Sequence, residues 1–465
     1  MRNPKKGPAK PKAAAKKSPA KKAKPAAMET DAPANKAVWR PGVDPLAEDE
    51  ELDYDPTAYD CLHRLQLDWP CLSFDLVRDD LGAPRATFPH TVFFTAGTQA
   101  ASAKQNYLAF VRLANLGQGR HGKKAEGAES ESESDDDSMS GSDDEAEVEE
   151  VETDKVFGLP RMHYRMVNNV GGINRVRSCP QQPGVVAVWV DNAQVRIYDG
   201  TKQLREIAEE KESTIKGKAK VDLKPLAQHS HAMEGYAVDW SPVKAGRLAT
   251  GDCRRNVVVW EPQEAGKWAV SGAYAGHEAS VEDIAWSPTE ETVFVSGSVD
   301  KTVRVWDTRE RSKPMLTVQA HDSDVNVVSW NRSVTYMLAT GADDGSLRIW
   351  DLRSFSQDGA VSQFNFHRGP VTGLEWCPYE GSMLASSGAD NQLAVWDLAL
   401  ERDPEEEAAL APEGNAAAPE DLPAQLLFLH AGQHDLKEIH WHTQIPGMIM
   451  STAGDGFNVF KASNM

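Results

Sequence analysis

The chain has 465 residues, 40% of them hydrophobic, and a formal net charge of −20, which is enough for a large folded core in a strongly acidic protein. No apolar stretch reaches the length of a membrane span, and the N-terminus has no apolar signal-peptide core, so we expect neither a membrane protein nor a secreted one. The five cysteines form no CxxC pair, which argues against a disulfide framework and against a zinc site.

The N-terminal segment, residues 1–46, is predicted to be a disordered basic tail that ends in an acidic lead. Residues 1–28 carry ten lysines or arginines and no acid, so the rest of the chain is more acidic than the net charge suggests. Such dense basic clusters favour a nuclear or nucleolar localisation tract over a generic solubilising tail. The acidic remainder should repel nucleic acid and membrane phosphate and attract basic proteins.

Residues 47–66 are predicted to form an N-terminal helix. Asp55, followed by a proline, suits the N-cap position, and Tyr59, Leu62 and Leu65 then fall on one helical face. Such a helix either packs simply on the rim of the folded domain or forms one wall of a partner-binding groove.

Residues 67–116 are predicted to hold the first strands, in the segments WPCLSFDLVRD and NYLAFVRLANL, with a strand near Leu72–Val77 lent to the last sheet to close the domain. Residues 117–155 are predicted to be a disordered acidic insertion, because residues 126–154 hold fifteen acids and six serines. Several of these serines precede an acid by three positions and are candidates for acid-directed phosphorylation. The alternative is a solvated loop without a partner.

Residues 156–461 are dominated by a repeat with a period of 44 to 46 residues. Four copies begin at histidines, namely His231, His277, His321 and His367, and each closes with a tryptophan followed by an acid, at Trp260, Trp306, Trp350 and Trp396. This period is typical of the four-stranded blade of a WD-repeat propeller, in which each blade covers the faces of its neighbours. With degenerate blades at Val185–Asp199 and Leu426–Lys461 and another from Trp69–Leu113, the prediction is an all-β, seven-bladed WD-repeat β-propeller.

Within each blade, the histidine, a serine or threonine, an aspartate and the closing tryptophan are predicted to share one buried hydrogen-bond network. The predicted structural sets are His277, Ser296, Asp300 and Trp306; His321, Thr340, Asp344 and Trp350; and His367, Ser386, Asp390 and Trp396. In the copy that begins at His231, Arg254 holds the aspartate position. A recurring Ser, His and Asp also suggests a hydrolase triad, but three copies at blade spacing favour architecture. No catalytic, cofactor-binding or metal-binding residue is predicted.

A second acidic insertion, the loop 398–424, precedes the last blade, and the repeat spacing places it on one face of the propeller. Its acids include Glu405, Glu406, Glu407, Glu420 and Asp421.

Two segments carry a resemblance to a known family: YDCLHRLQLDWPCLSFDLVRD (Tyr59–Asp79) and DLPAQLLFLHAGQHDLKEIHWHTQIPGMIMSTAGDGFNVF (Asp421–Phe460). They closely resemble the glutamate-rich WD-repeat proteins, the ribosome-assembly family, and the resemblance runs over residues 39–461. That family lies beside the retinoblastoma-binding histone chaperones, which share an N-terminal helix and an acidic loop before the last blade.

The resemblance implies a ribosome-biogenesis factor, not an enzyme, that escorts a newly made basic ribosomal protein of the L-three type to pre-60S particles in the nucleus and nucleolus. In the histone-binding relatives, the helix and the acidic loop clasp a histone helix. The corresponding partner-binding residues here would be Tyr59, Leu62 and Leu65 on one wall and Glu420, Asp421, Leu422 and Phe428 on the other, with Glu405, Glu406 and Glu407 nearby. Those relatives carry two prolines in the loop, whereas this chain has Pro423 followed by alanine, so the client or the rigidity of the loop is expected to differ.

Two further interpretations remain open. A histone-binding chaperone or chromatin adaptor needs the same acidity and the same groove. Docking on a ubiquitin-ligase scaffold is a minor interpretation, based on the motifs WDTR (Trp306–Arg309) and WDLR (Trp350–Arg353), which are common in WD repeats.

Overall fold

The computed structural model describes residues 54–119, 159–210, 220–401 and 422–465. In these ranges the strands β1 to β29 form seven sheets, six of four strands and one of five. The innermost strands of successive sheets contact one another in order, and the seventh contacts the first. The sheets therefore close into a ring, and the predicted seven-bladed propeller is confirmed.

The blades are described from the innermost strand outward. Blades 1 to 3 consist of β2 Cys71–Leu76, β3 His90–Thr98, β4 Tyr107–Leu116, β5 Arg161–Asn168 and β9 Lys220–Val221; β6 Ile173–Cys179, β7 Gln182–Val190, β8 Gln194–Asp199 and β10 Ala227–Ser230; and β11 Val238–Trp240, β12 Leu248–Gly251, β13 Val257–Gln263 and β14 Lys267–Val270. Blades 4 and 5 consist of β15 Val281–Trp286, β16 Val293–Ser298, β17 Thr302–Asp307 and β18 Leu316–Gln319; and β19 Val325–Trp330, β20 Met337–Ala342, β21 Ser346–Asp351 and β22 Ala360–Asn365. Blades 6 and 7 consist of β23 Val371–Trp376, β24 Met383–Gly388, β25 Leu393–Asp397 and β26 Leu426–His430; and β27 Glu438–Trp441, β28 Met448–Ala453, β29 Gly456–Ala462 and β1 Tyr59–Leu65.

The core lies between neighbouring blades, where the alternation of side chains along each strand brings apolar residues from two sheets together. Between blades 4 and 5, for example, Val303, Val325 and Trp350 are at most 1% exposed. The sheets approach so closely that a Cβ on Gly297 would lie 2.8 Å from the Cγ1 of Val325. Glycine at this point therefore sets the spacing of the two blades.

The predicted N-terminal helix is wrong in the described part of the segment. Asp55 does cap a turn, since its carboxylate accepts the N–H of Thr57 at 2.8 Å, but this 3-10 helix spans only Pro56–Ala58. The next seven residues form β1, which pairs antiparallel with β29. Without β1, β29 would be an open edge, and covering that edge outweighs the local helical pattern. Residues 47–53 lie outside the described residues.

The ring is closed by an N-terminal strand, as predicted, but not by the strand named in the prediction. The segment near Leu72–Val77 forms β2, the innermost strand of blade 1, whereas β1 completes blade 7. The closing strand therefore precedes the segment that was predicted to close the ring.

An insertion in blade 2 that the sequence did not reveal links blades 1 and 2. It begins with the helix α1, Thr201–Glu209, which buries Gln203 and Ile207, and continues to β9, which pairs in parallel with β5. Arg165 of β5 pairs with Glu206 and Glu210, each at 3.2 Å. The insertion thus covers part of the outer edge of blade 1.

The segments predicted to be disordered lie largely outside the described residues: the tail 1–46 wholly, and most of residues 117–155 and of the loop 398–424. No helix in the described ranges is both long enough and apolar enough to cross a membrane.

Candidate partner-binding surfaces

The first candidate, the set of His277, Ser296, Asp300 and Trp306 in blade 4, is one buried hydrogen-bond chain. Trp306 Nε1 donates to Ser296 Oγ at 2.8 Å, Ser296 Oγ lies 2.6 Å from His277 Nε2, and His277 Nδ1 lies 2.8 Å from Asp300 Oδ2. Because the indole can only donate, the protons run from Trp to Ser to His to Asp with the imidazole neutral. Ser296 is 0% exposed and its Oγ already accepts a hydrogen bond. This Ser-His-Asp set cannot reach a substrate and instead ties the strands of the blade together.

The other blades repeat this chain with local changes. In blade 6, His367 contacts Ser386 at 2.8 Å and Asp390 at 3.1 Å, and Trp396 donates to Ser386 at 2.9 Å. In blade 5, Thr340 takes the hydroxyl position between His321 and Trp350, but Ser346 stands between His321 and Asp344, at 2.9 and 2.6 Å.

Blade 3 replaces the missing aspartate with another. His231 Nδ1 lies 3.3 Å from Asp252 Oδ2, two positions before the expected Arg254.

Ser296→Ala is expected to lower the free energy of unfolding by about 1–3 kcal/mol, because it leaves the buried Trp306 N–H and His277 Nε2 without a partner. Urea unfolding followed by tryptophan fluorescence measures the change. Ser312→Ala, at an exposed serine, is the matched control and should change stability by less than about 0.5 kcal/mol. A loss of equal size in both variants would contradict a structural role for the network.

The second candidate is the predicted groove between the N-terminal segment and the last blades. Here the ring of Tyr59 in β1 meets Phe428 of β26 at a centroid distance of 5.3 Å and Phe460 of β29 at 5.9 Å. The Tyr59 hydroxyl lies 2.7 Å from His430 Nδ1. We call Tyr59, Phe428, His430 and Phe460 the rim cluster. With Tyr59 only 9% exposed, it fills the space between blades 6 and 7.

The structure separates the predicted groove residues. Tyr59 and Leu62 face blade 6 and pack in the same apolar cluster as Phe428, whereas Leu65 packs on the opposite side, against the core that blades 7 and 1 share. The three residues share a face only in a helix, and the strand alternation divides them. Leu422 is half-buried at the start of a described range. Glu405, Glu406, Glu407, Glu420 and Asp421 lie outside the described residues.

His430 in the rim cluster makes stability sensitive to acid. Burial, with a smaller contribution from Arg64, lowers its pKa from 6.5 to about 4. As the pH falls from 6.5 toward 4, the unfolded chain therefore binds a proton that the folded protein refuses, and about 2 kcal/mol of stability is lost by pH 5. In His430→Gln, this loss between pH 7 and 5 should be absent in urea unfolding curves. His434→Gln, at a side chain 82% exposed, should keep the slope of the original protein.

The third candidate, which the sequence did not reveal, is the central channel. Glu438 of blade 7, with a side chain 3% exposed, lies 2.7 Å from both Arg175 and Arg177 of blade 2 and accepts the N–H of Phe74 in blade 1 at 3.0 Å. Burial alone would raise the pKa of Glu438, but the two guanidinium groups outweigh it and hold the pKa well below its usual range. This carboxylate therefore links three blades across the point of ring closure.

Four more carboxylates line the channel, and each accepts a backbone N–H from the next blade. The pairs are Asp75 with Ser178 at 2.6 Å, Asp239 with Trp286 at 2.8 Å, Asp283 with Val328 at 3.0 Å and Glu375 with Trp441 at 2.9 Å. Burial raises the pKa of Asp75 and of Asp283, and it raises that of Asp239 to about 7. Around them lies a cavity of about 300 Å³, the channel cavity.

The sequence contains a signal for these channel groups. A polar residue directly precedes the tryptophan of several innermost strands, as in Asp239-Trp240, Glu375-Trp376 and His440-Trp441. The tryptophan points into the blade interface, where Trp441 Nε1, for example, donates to the carbonyl of Glu375 at 3.1 Å. Because side chains alternate along a strand, the preceding residue faces the channel.

The histidines near the last blade bind different partners rather than one another. His430 belongs to the rim cluster, His434 pairs with Asp455 at 3.4 Å, and His440 lies 3.1 Å from Glu375. Within the described ranges, no group of three or more potential ligands is arranged to hold a metal ion.

The two arginines of the WDTR and WDLR motifs are exposed, with side-chain values of 78% for Arg309 and 66% for Arg353. Each is held by the aspartate of its own motif, and Arg353 also lies 3.7 Å above the ring of Tyr336.

Comparison with known proteins gives two family matches. Residues 49–117 match the family of the histone-binding protein RBBP4 and the corresponding component of the CAF1 complex. Residues 268–307, 312–351 and 359–397 match the WD domain, G-beta repeat. The propeller domain of Doa1 superposes with a TM-score of 0.54 at 12% identity, over 87% of this chain and 97% of that one, which supports the fold alone.

Three relatives match nearly the whole chain. Protein HEAT STRESS TOLERANT DWD 1 of Arabidopsis thaliana is 46% identical over 92% of both chains. Glutamate-rich WD repeat-containing protein 1 of Dictyostelium discoideum is 47% identical over 92% of this chain and 85% of its own. Ribosome assembly protein rrb1 of Schizosaccharomyces pombe is 38% identical over 93% and 86%.

Proposed function

This chain belongs to the family of glutamate-rich WD-repeat and ribosome-assembly proteins, and on that premise we propose that it is a ribosome-biogenesis factor that escorts a basic large-subunit ribosomal protein. The client would be of the L-three type and would be delivered to pre-60S particles in the nucleus and nucleolus. The basic tract at residues 1–28 supports that location. The proposed role is binding, without a chemical step.

The observation that carries the proposal is the separation of charge along a chain of net charge −20. A newly made ribosomal protein is rich in lysine and arginine and binds nucleic acid phosphates without specificity. An acidic propeller with the fifteen acids of residues 126–154 supplies competing negative charge. Such a surface attracts the client over long range and screens it until the pre-ribosome takes it over.

The alternative function is histone binding, favoured by the family match over residues 49–117, which includes β1 to β4. Core histones are also basic, so acidity alone does not distinguish the two clients. The exposed Arg309 and Arg353 support a further, minor proposal, docking on a ubiquitin-ligase scaffold.

Competition between purified clients tests the proposed function. The full chain is immobilised and offered an equimolar mixture of an L-three-type ribosomal protein and core histones at moderate salt. We expect the ribosomal protein to be retained and to resist displacement by a tenfold excess of histones. Retention of histones alone would favour the alternative, and retention of neither would reject both functions.

A further inference from the structure

The acid-rich insertions of the chain leave the propeller from the same face. The described ranges stop at Gly119 and resume at Leu159, and they stop at Glu401 and resume at Leu422. Both breaks fall between the third and fourth strands of a blade, counted from the channel, in blades 1 and 6. In an antiparallel blade, that connection lies at the same end as the one between the first and second strands. We call this end the lower face and the opposite end, where His277 and the other network histidines lie, the upper face.

The channel cavity opens on the lower face, because residues at the ends of the innermost strands line it. Its carboxylates use one oxygen each for the backbone of the next blade, but Asp75 Oδ1, Asp239 Oδ1 and Glu375 Oε1 receive no hydrogen bond from the described residues. The hydroxyl of Ser178, a residue 9% exposed, also lines the cavity and has no partner in the described part of the chain. The wall therefore presents several free acceptors to whatever enters.

The cations of the inner wall are already committed. Arg177 pairs with Glu438 at 2.7 Å, and His440 lies 3.1 Å from Glu375 and 3.6 Å from Glu438. The remaining cations, Arg78 and Arg332, are exposed at the mouth. The interior of the cavity thus keeps carboxylates without a counter-charge of their own.

We propose that the channel cavity takes the guanidinium or ammonium group of an extended basic segment of the client, which therefore docks on the lower face. This inference rests on the proposed function in that the client is a basic protein. A guanidinium offers five N–H donors, which suits the free oxygens of Asp75, Asp239 and Glu375 and the hydroxyl of Ser178. About 300 Å³ is the lower limit for ligand pockets, so the cavity holds one side chain rather than a folded element. The acidic insertions on the same face draw the rest of the segment toward it.

The first test measures binding of a fluorescein-labelled hexa-arginine peptide to the full chain by fluorescence anisotropy at moderate salt. The double variant Asp75→Asn/Asp239→Asn, which replaces buried acids by neutral groups of the same shape, is expected to bind about tenfold more weakly. The control, Asp322→Asn/Asp343→Asn, removes two exposed carboxylates on the upper face and should weaken binding less than twofold. Equal weakening by both pairs, or none by the channel pair, would overturn the proposal.

A second measurement does not depend on any variant. A hexa-arginine peptide with a terminal benzophenone is crosslinked to the unmodified protein, and the attachment sites are read by mass spectrometry. Sites at the ends of the innermost strands, such as Trp286 or Trp330, are expected, and sites confined to the upper face would overturn the proposal.

Repeating the anisotropy series with an L-three-type ribosomal protein separates this inference from the proposed function. If the ribosomal protein binds the original chain and the channel variant equally well, the function stands and the cavity site fails. If the peptide needs the cavity but no ribosomal protein binds, the site stands and the function fails.

Discussion

Replacing Glu438 with glutamine is expected to lower the free energy of unfolding by about 3–5 kcal/mol at pH 7, because two buried guanidinium groups lose their counter-charge. The carboxylate lies 2.7 Å from both Arg175 and Arg177, and its side chain is 3% exposed. Since it also accepts the N–H of Phe74, the substitution weakens the contact of blade 7 with blades 1 and 2 together. Urea unfolding followed by tryptophan fluorescence measures the loss.

Glu291→Gln is the matched control for this prediction. Glu291 is 53% exposed and pairs with Lys244 at 3.3 Å, so its loss should cost less than about 1 kcal/mol. Losses of similar size in both variants would show that Glu438 does not lock the ring.

The same variant should change how stability depends on alkaline pH. Burial alone would lower the pKa of His440, but Glu375 and Glu438 outweigh it and raise the pKa from 6.5 to about 10. A raised histidine pKa adds stability that is complete below about pH 6.5 and is lost as the pH rises through 10. Without the Glu438 charge, the fall in stability between pH 7 and 10 should be shallower.

The sequence was sufficient for the parts of this fold that repeat. The spacing of His277, Ser296, Asp300 and Trp306 recurs from blade to blade, so comparison of copies identified the buried network before any contact was known. The chemistry of the set alone would have suggested a hydrolase. Repetition decided between the two interpretations, because a catalytic site has no reason to recur at every blade.

What the sequence could not supply were features that depend on the closed ring. Glu438 and Arg177 are 261 residues apart in the chain and meet only because blade 7 lies beside blade 1. The segment from Tyr59 to Leu65 carries apolar residues that fit one helical face as well as a strand. Its strand conformation follows from the open edge of β29, which is formed at the far end of the chain.

Removing β1 is therefore expected to have the largest effect on the fold. A chain that lacks residues 1–65 should lose about 5 kcal/mol or more of stability, because Tyr59, Cys61 and Leu62 no longer cover blade 7 and the edge of β29 is exposed. We expect a melting temperature lower by roughly 10 °C or more, with aggregation on heating. Thermal unfolding followed by circular dichroism and light scattering measures both.

A chain that lacks only residues 1–53 is the matched control, since it keeps β1, and its melting temperature should stay within a few degrees of that of the full chain. A synthetic peptide of residues 54–66 added to the shorter chain should restore part of the lost stability in proportion to its concentration, because it binds the folded state only. The register of Leu62 with Phe460 makes Leu62→Pro in the peptide a specific control, since proline in a paired strand removes a donor and fits poorly. If the two truncated chains melt at the same temperature, β1 does not hold the ring closed, and the rim cluster around Tyr59 must owe its stability to blades 6 and 7 alone.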